Sequence, residues 1–161
     1  MIEILTLLIL LIPFSVFIFN SIVLRNLISD KSEIPGIVNS ISIGISFIFA
    51  LIALFNVGDF SSSISFTWIN LNDVDITFSF LVDPLTAIML VVVSGVSFLV
   101  QIYSIGYMHG DKSFCRYFSY MALFTGSMLG LVMSRNILQL FIFWELVGVS
   151  SYLLIGFWHE R

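Results

Sequence analysis

One side chain in this sequence stands where chemistry is costly to install. Glu145 sits near the middle of Ser134 to Trp158, SRNILQLFIFWELVGVSSYLLIGFW, a stretch long and apolar enough to cross a bilayer, for which roughly 20 residues suffice. A charged carboxylate at that depth costs about 2.5–3.5 kcal/mol even on the lenient insertion scale. It lies about 15 Å of helical rise from either end of its segment, too far to snorkel out. Burial disfavours the ionised form and a nearby cation favours it, so a carboxyl held between those influences can load and release a proton as its partner moves. A proton relay is therefore one role for Glu145. A protonated acid that merely hydrogen-bonds two helices together is the other.

The groups around it are few. Leu138, Phe141, Gly148 and Tyr152 share its helix face by i±3, i±4 and i±7 spacing. Gly148 leaves room for water or a neighbouring helix. The Tyr152 hydroxyl either continues a hydrogen-bonded path or simply packs. Arg135 is on the same segment but at its other end, about 15 Å away, and no basic residue lies in mid-span. The partner is expected to come from another chain or from a missing part of this one. Gln101 and Gln139 are uncharged and suit bonds to neighbouring helices. His109 and His159 stand beside helix ends, where a solvated histidine is the ordinary case and proton entry the less common one.

Composition bounds the rest. Of 161 residues, 59% are hydrophobic and 10% charged, against about 25% charged in a soluble domain. The net charge of −4 carries no basic patch for nucleic acid. The single cysteine, Cys115, excludes a disulfide within the chain and an iron–sulfur cluster held by it alone. No metal-ligand spacing, G-x-G-x-x-G or P-loop is present, so the chain is expected to bind no metal or nucleotide and to pass no electrons.

These patterns predict an all-α polytopic membrane protein with five transmembrane helices, over residues 2–24, 37–56, 84–107, 114–133 and 135–158, in one domain covering 1–161. The first is expected to be a retained helix rather than a signal peptide: it has no basic n-region, and no small-x-small cleavage site follows. Pro13 falls inside it, as lipid-embedded helices allow. Ser40 and Gly44, and Gly126 and Gly130, are spaced for close helix approach. Between the second and third helices, Ile64, Phe66 and Trp68, then Val74, Ile76, Phe78 and Phe80, alternate with polar residues on either side of an Asn/Asp-rich connection. This predicts an extramembrane β-hairpin over 63–80. Asp83-Pro84 reads as an N-cap followed by proline at the first helical position. Arg25, Lys31, Lys112, Arg116 and Arg161, five of the six basic residues, fall on one side of such a five-span layout and Arg135 on the other. The positive-inside rule then puts the N-terminus and hairpin outside and the C-terminus inside.

Four stretches carry a family resemblance: Phe80 to Leu90 (FLVDPLTAIML), Tyr103 to Met108 (YSIGYM), Ser127 to Val132 (SMLGLV) and above all Trp144 to Trp158 (WELVGVSSYLLIGFW). Together they resemble the N-terminal part of the largest antiporter-like membrane subunit of NADH–quinone oxidoreductase, complex I (chain 5 of the mitochondrial enzyme, the L-type subunit of bacteria); its plastid and cyanobacterial counterpart is also similar. The resemblance is close over helices three to five and one of layout before them. It implies redox-driven proton translocation across an energy-conserving membrane, mitochondrial inner or bacterial cytoplasmic. In this family a fifth-helix glutamate, matched here by Glu145, pairs with a lysine on a later helix. The resemblance further implies that NADH, FMN, iron–sulfur clusters and quinone are held by other subunits, and that the partners are those membrane subunits and the remaining helices of the same subunit. Family members continue well beyond Arg161, so this sequence is expected to be a fragment or the first half of a split subunit. An Mrp-type cation/proton antiporter or membrane-bound hydrogenase subunit, and a non-catalytic membrane scaffold, are the alternatives.

Overall fold

The computed structural model describes residues 2–24, 32–57, 62–71 and 74–158; the links between them and both chain ends, and with them Arg25, Lys31, His159 and Arg161, lie outside the described residues. Five helices and one hairpin follow in order: α1 (Ile2–Ile18), α2 (Ile34–Val57), β1 (Ser62–Leu71), β2 (Val74–Val82), α3 (Pro84–Tyr107), α4 (Phe114–Val132) and α5 (Ile137–Ile155). A π-helical turn, Phe19–Leu24, extends α1, and a 3-10 turn, Gly156–Trp158, extends α5. Pro13 lies inside α1 and does not end it.

α4 is the inner helix, packed against α1, α2, α3 and α5. Its composition explains the position. Ser119, Ala122, Thr125, Gly126, Ser127 and Gly130 are all buried, and small side chains let four neighbours approach its backbone. The hydroxyls of Ser119, Thr125 and Ser127 donate to the Cys115, Met121 and Leu123 carbonyls at 2.9, 2.9 and 2.6 Å. Their polarity is thereby satisfied within the helix, as a site without water requires. Among the described residues, four helices are long and apolar enough by length and composition to cross a membrane, over Glu3–Ile22, Ile34–Val57, Pro84–Tyr107 and Ile137–Trp158. The fifth expected span, 114–133, corresponds to α4, which is not among these four: its small and hydroxyl-bearing residues, with Arg116 in its first turn, make it less apolar.

α2 and α3 interlock reciprocally. A Cβ on Gly44 would come within 3.0 Å of the Phe98 ring, and one on Gly95 within 2.9 Å of the Phe47 ring. Each glycine is thus the socket for the other helix's phenylalanine. Asn39, fully buried on α2, donates to the Phe118 carbonyl of α4 at 2.9 Å.

The hairpin is antiparallel, with Phe66 opposite Phe78 and Ile64 opposite Phe80, and an irregularity between Thr67 and Ile69. Trp68, at that break, meets the Phe78 ring edge-on at 5.4 Å. The far edge of β2 is used as well: the Leu81 amide donates to the Met133 carbonyl at 2.9 Å and the Arg135 amide to the Ser79 carbonyl at 3.1 Å. The α4–α5 connection therefore lies along β2 like the start of a third strand, with Phe80 bridged to Ser134.

β2 runs straight into α3, whose N-cap Asp83 accepts from the Thr86 amide at 2.7 Å. That backbone hydrogen bond holds the Asp83 carboxyl below its usual pKa. A group whose folded pKa is depressed contributes stability above its unfolded value, and loses that contribution as pH falls through the folded one. Asp83→Ala should therefore cost about 1 kcal/mol at neutral pH. The difference should vanish as the medium is acidified below the ordinary aspartate range, as thermal melts of both proteins in lipid nanodiscs across pH will show.

Candidate functional site

The orientation of α5 decides what Glu145 can meet, and the hairpin sets that orientation. Asn136 caps α5 by accepting from the Gln139 amide at 2.8 Å, while its side-chain amide donates to the Thr77 carbonyl of β2. One turn on, the Gln139 side-chain oxygen accepts from the Ser79 amide at 2.8 Å. Gln139 is almost fully buried. Sequence reasoning expected a helix–helix bond from this glutamine; its partner is a strand. With Gln139 fixed toward the hairpin, Phe143 falls on the same face one turn later. There its ring tilts against Phe80 with centroids 6.3 Å apart and fills the space that a side chain on Gly130 of α4 would occupy.

Successive helix residues turn by about 100°, so Glu145 lies about 200° from Phe143, on the opposite side. Ser150 is in phase with Phe143 and is buried. Leu138, Phe141, Gly148 and Tyr152 are exposed together with Glu145, as the i±3, i±4 and i±7 pattern required, and Tyr152 is 75% exposed. Along this stripe Gly148 has nothing within 4 Å of a would-be Cβ. Glu145 is about 12 Å of helical rise from Ile137 and about 15 Å from Ile155. Among the described residues it has no hydrogen-bond or ion-pair partner. The bundle presents this carboxylate outward rather than holding it inside.

The other polar candidates are placed elsewhere. Arg135 is exposed at the hairpin end, about 15 Å along the axis from Glu145. Gln101 is buried and donates to Thr125 of α4 at 3.5 Å. His109 is exposed at the end opposite the hairpin, where its Nδ1 pairs with the Glu33 carboxylate and joins the start of α2 to the α3–α4 loop. No group of three or more His, Cys, Asp or Glu capable of holding a metal occurs among the described residues.

Two features escaped sequence reasoning. The Gln139–Ser79 bond joins residues 60 apart in sequence, and its only trace was a glutamine at the start of an apolar helix. Arg116, read only as one of the basic residues that set orientation, lines a cavity of about 370 Å³ between α4 and α5 together with Tyr120, Tyr152, Leu153, Gly156 and Phe157.

Comparison with known proteins agrees with this architecture. The family profile described as NADH-ubiquinone oxidoreductase (complex I), chain 5 N-terminus, matches residues 68–118. NAD(P)H-quinone oxidoreductase subunit 5, chloroplastic, of Physcomitrium patens is 44% identical over 161 residues, covering 94% of this chain and 22% of the relative. The subunit of the same name from Mesostigma viride is 50% identical over 121 residues, covering 74% and 19%, and that of Anthoceros angustus 57% over 97 residues, covering 60% and 13%. This chain thus spans about a fifth of the length of the curated relatives it matches. Among solved structures, a chain of the Mrp complex from Dietzia sp. superposes with a TM-score of 0.73 at 25% identity, over 93% of this chain and 16% of that one.

The Gly130–Phe143 contact is what seats α5. Gly130→Ala puts a methyl group into the Phe143 ring and should destabilise the bundle by about 1–3 kcal/mol. Gly106→Ala, on an exposed face of α3 with open space around it, should change stability by about 0.5 kcal/mol or less. Denaturant titration of both variants in the same detergent measures the contrast.

Proposed function

We propose that this chain, which is similar in sequence to the N-terminal part of NAD(P)H-quinone oxidoreductase subunit 5, acts as part of a proton-translocating membrane subunit of an NAD(P)H–quinone oxidoreductase. The observation that carries the reading is the placement of Glu145: at mid-membrane depth, on the outward stripe of a helix held at its hairpin end by Asn136, Gln139 and Phe143, and with no partner in its own bundle. A relay needs its carboxyl presented to a cation that something else supplies, and a glue residue would be bonded within the bundle it holds together.

In this reading the chain does no redox chemistry; nicotinamide, flavin, iron–sulfur and quinone sites belong to other subunits. The protein resides in an energy-conserving membrane with its hairpin outside, since Lys112 and Arg116 lie at one end of the bundle and Arg135 at the other. The Mrp neighbour favours a second reading, a cation/proton antiporter subunit. The higher identity to the quinone oxidoreductase subunits, 44% over 94% of the chain against 25% for the Mrp chain, supports the first.

Glu145→Gln keeps shape and hydrogen bonding while removing the titrating group. In the assembled complex, proton pumping per quinone reduced should fall by about tenfold or more, with assembly intact, and Glu145→Asp should retain part of the activity. Unchanged pumping in Glu145→Gln, or loss of assembly, would eliminate the relay. Sodium-dependent antiport without quinone reduction in vesicles carrying the complex would favour the Mrp reading.

A further inference from the structure

The cavity between α4 and α5 opens on an arginine without a counter-ion. The Arg116 guanidinium stands over the Phe157 ring, its Cζ 5.1 Å from the centroid, so one face of it is covered. Its Nε is buried with no hydrogen-bond partner, and Arg116 forms no ion pair among the described residues. The nearest acid in sequence, Asp111, is engaged elsewhere: its oxygens accept from the Ser113 amide at 2.8 Å and from the Trp158 indole at 3.3 Å. The other polar groups around the cavity are the phenols of Tyr120 and Tyr152, so no lining residue is acidic. Arginine's planar fork suits a carboxylate or a phosphate, bound by two parallel hydrogen bonds.

Position decides between the two. Tyr152 and Gly156, which line this cavity, continue the stripe of α5 that carries Glu145, at i+7 and i+11. A stripe with an intramembrane carboxylate is not one that faces hydrocarbon, since such acids point into a bundle or a hydrated cavity. What covers Glu145 therefore covers the mouth of the Arg116 cavity, and that cover is protein rather than a lipid headgroup. We propose that the Arg116 cavity seats the carboxylate of an aspartate or glutamate, carried by a membrane helix that packs along the α4–α5 groove and continues over Glu145. The inference rests on the reading of Glu145 given above only in that its stripe is covered by protein. The seat itself does not require Glu145 to move protons.

The test uses the whole assembled complex. A photo-reactive benzoylphenylalanine in place of Tyr120, beside the cavity, should cross-link to a peptide from a membrane helix bearing an Asp or Glu, identified by mass spectrometry. Arg116→Gln should lower the amount of assembled complex by about tenfold, and Arg116→Lys, which keeps the charge but loses the planar fork, should fall between that variant and the unaltered chain. Converting the cross-linked acid to its amide should reproduce the Arg116→Gln loss and add little to it in the double variant. Cross-linking to phospholipid, cross-linking to a helix without an acid, or strictly additive losses would each overturn the seat. Proton pumping in Glu145→Gln tests the relay separately, so either reading can fail while the other stands.

Discussion

A carboxylate midway along a helix apolar enough to cross a membrane has to be given a place by the protein around it, and in this chain the place is an outward one. Two contacts made far from Glu145 bring that about: the bond from the Ser79 amide to Gln139, and the seating of Phe143 in the gap left by Gly130. Together they fix the rotation of α5, and a helix with fixed rotation has a fixed outer stripe. The hairpin is thus more than a surface ornament on the bundle. Through β2 it holds the loop from α4 and the first turn of α5, so a few strand hydrogen bonds at one membrane face set which side chain is presented near mid-membrane.

Much of this was legible in the residues. Alternating apolar and polar positions gave the hairpin, because a half-buried strand imposes period two. Asp83-Pro84 gave the start of α3, because cap and proline act locally. The stripe shared by Glu145, Gly148 and Tyr152 followed from helix geometry alone. The absolute direction of that stripe was not legible, because α5 is apolar nearly all round and no polar face marks the side that meets water. Gln139 was the one clue, and its partner lies 60 residues earlier on a strand. The inner position of α4 was visible only obliquely, as small and hydroxyl-bearing residues in a helix less apolar than the other four. Arg116 looked like an orientation signal because its cavity exists only once α4 and α5 are side by side.

The two ends of α5 are held by different physics. At the hairpin end the contacts are directional: an Asn cap, a glutamine bonded to a strand amide, and backbone bonds from β2. At the other end they are mainly aromatic, with Phe157 edge-on to Tyr117 at 5.5 Å and Trp158 beside Tyr107 at 6.1 Å, supplemented by the Trp158 indole donating to Asp111 at 3.3 Å. Hydrogen bonds fix register, whereas ring contacts tolerate small sliding and tilting. A helix held by the first at its start keeps its azimuth along its length.

That asymmetry bears on where a proton at Glu145 would act. The inward face of α5 is occupied by Phe143, Leu146 and Ser150, none of which titrates, and the Ser150 hydroxyl is already committed to the Val147 carbonyl at 2.9 Å. Among the described residues, Glu145 on the opposite face has no ion-pair partner to answer a change of charge, and the ionisable groups nearest along its stripe are Tyr152 and, across the cavity, Arg116. The response falls on whatever covers the outer stripe, which is the surface through which a relay would be coupled to the rest of a complex.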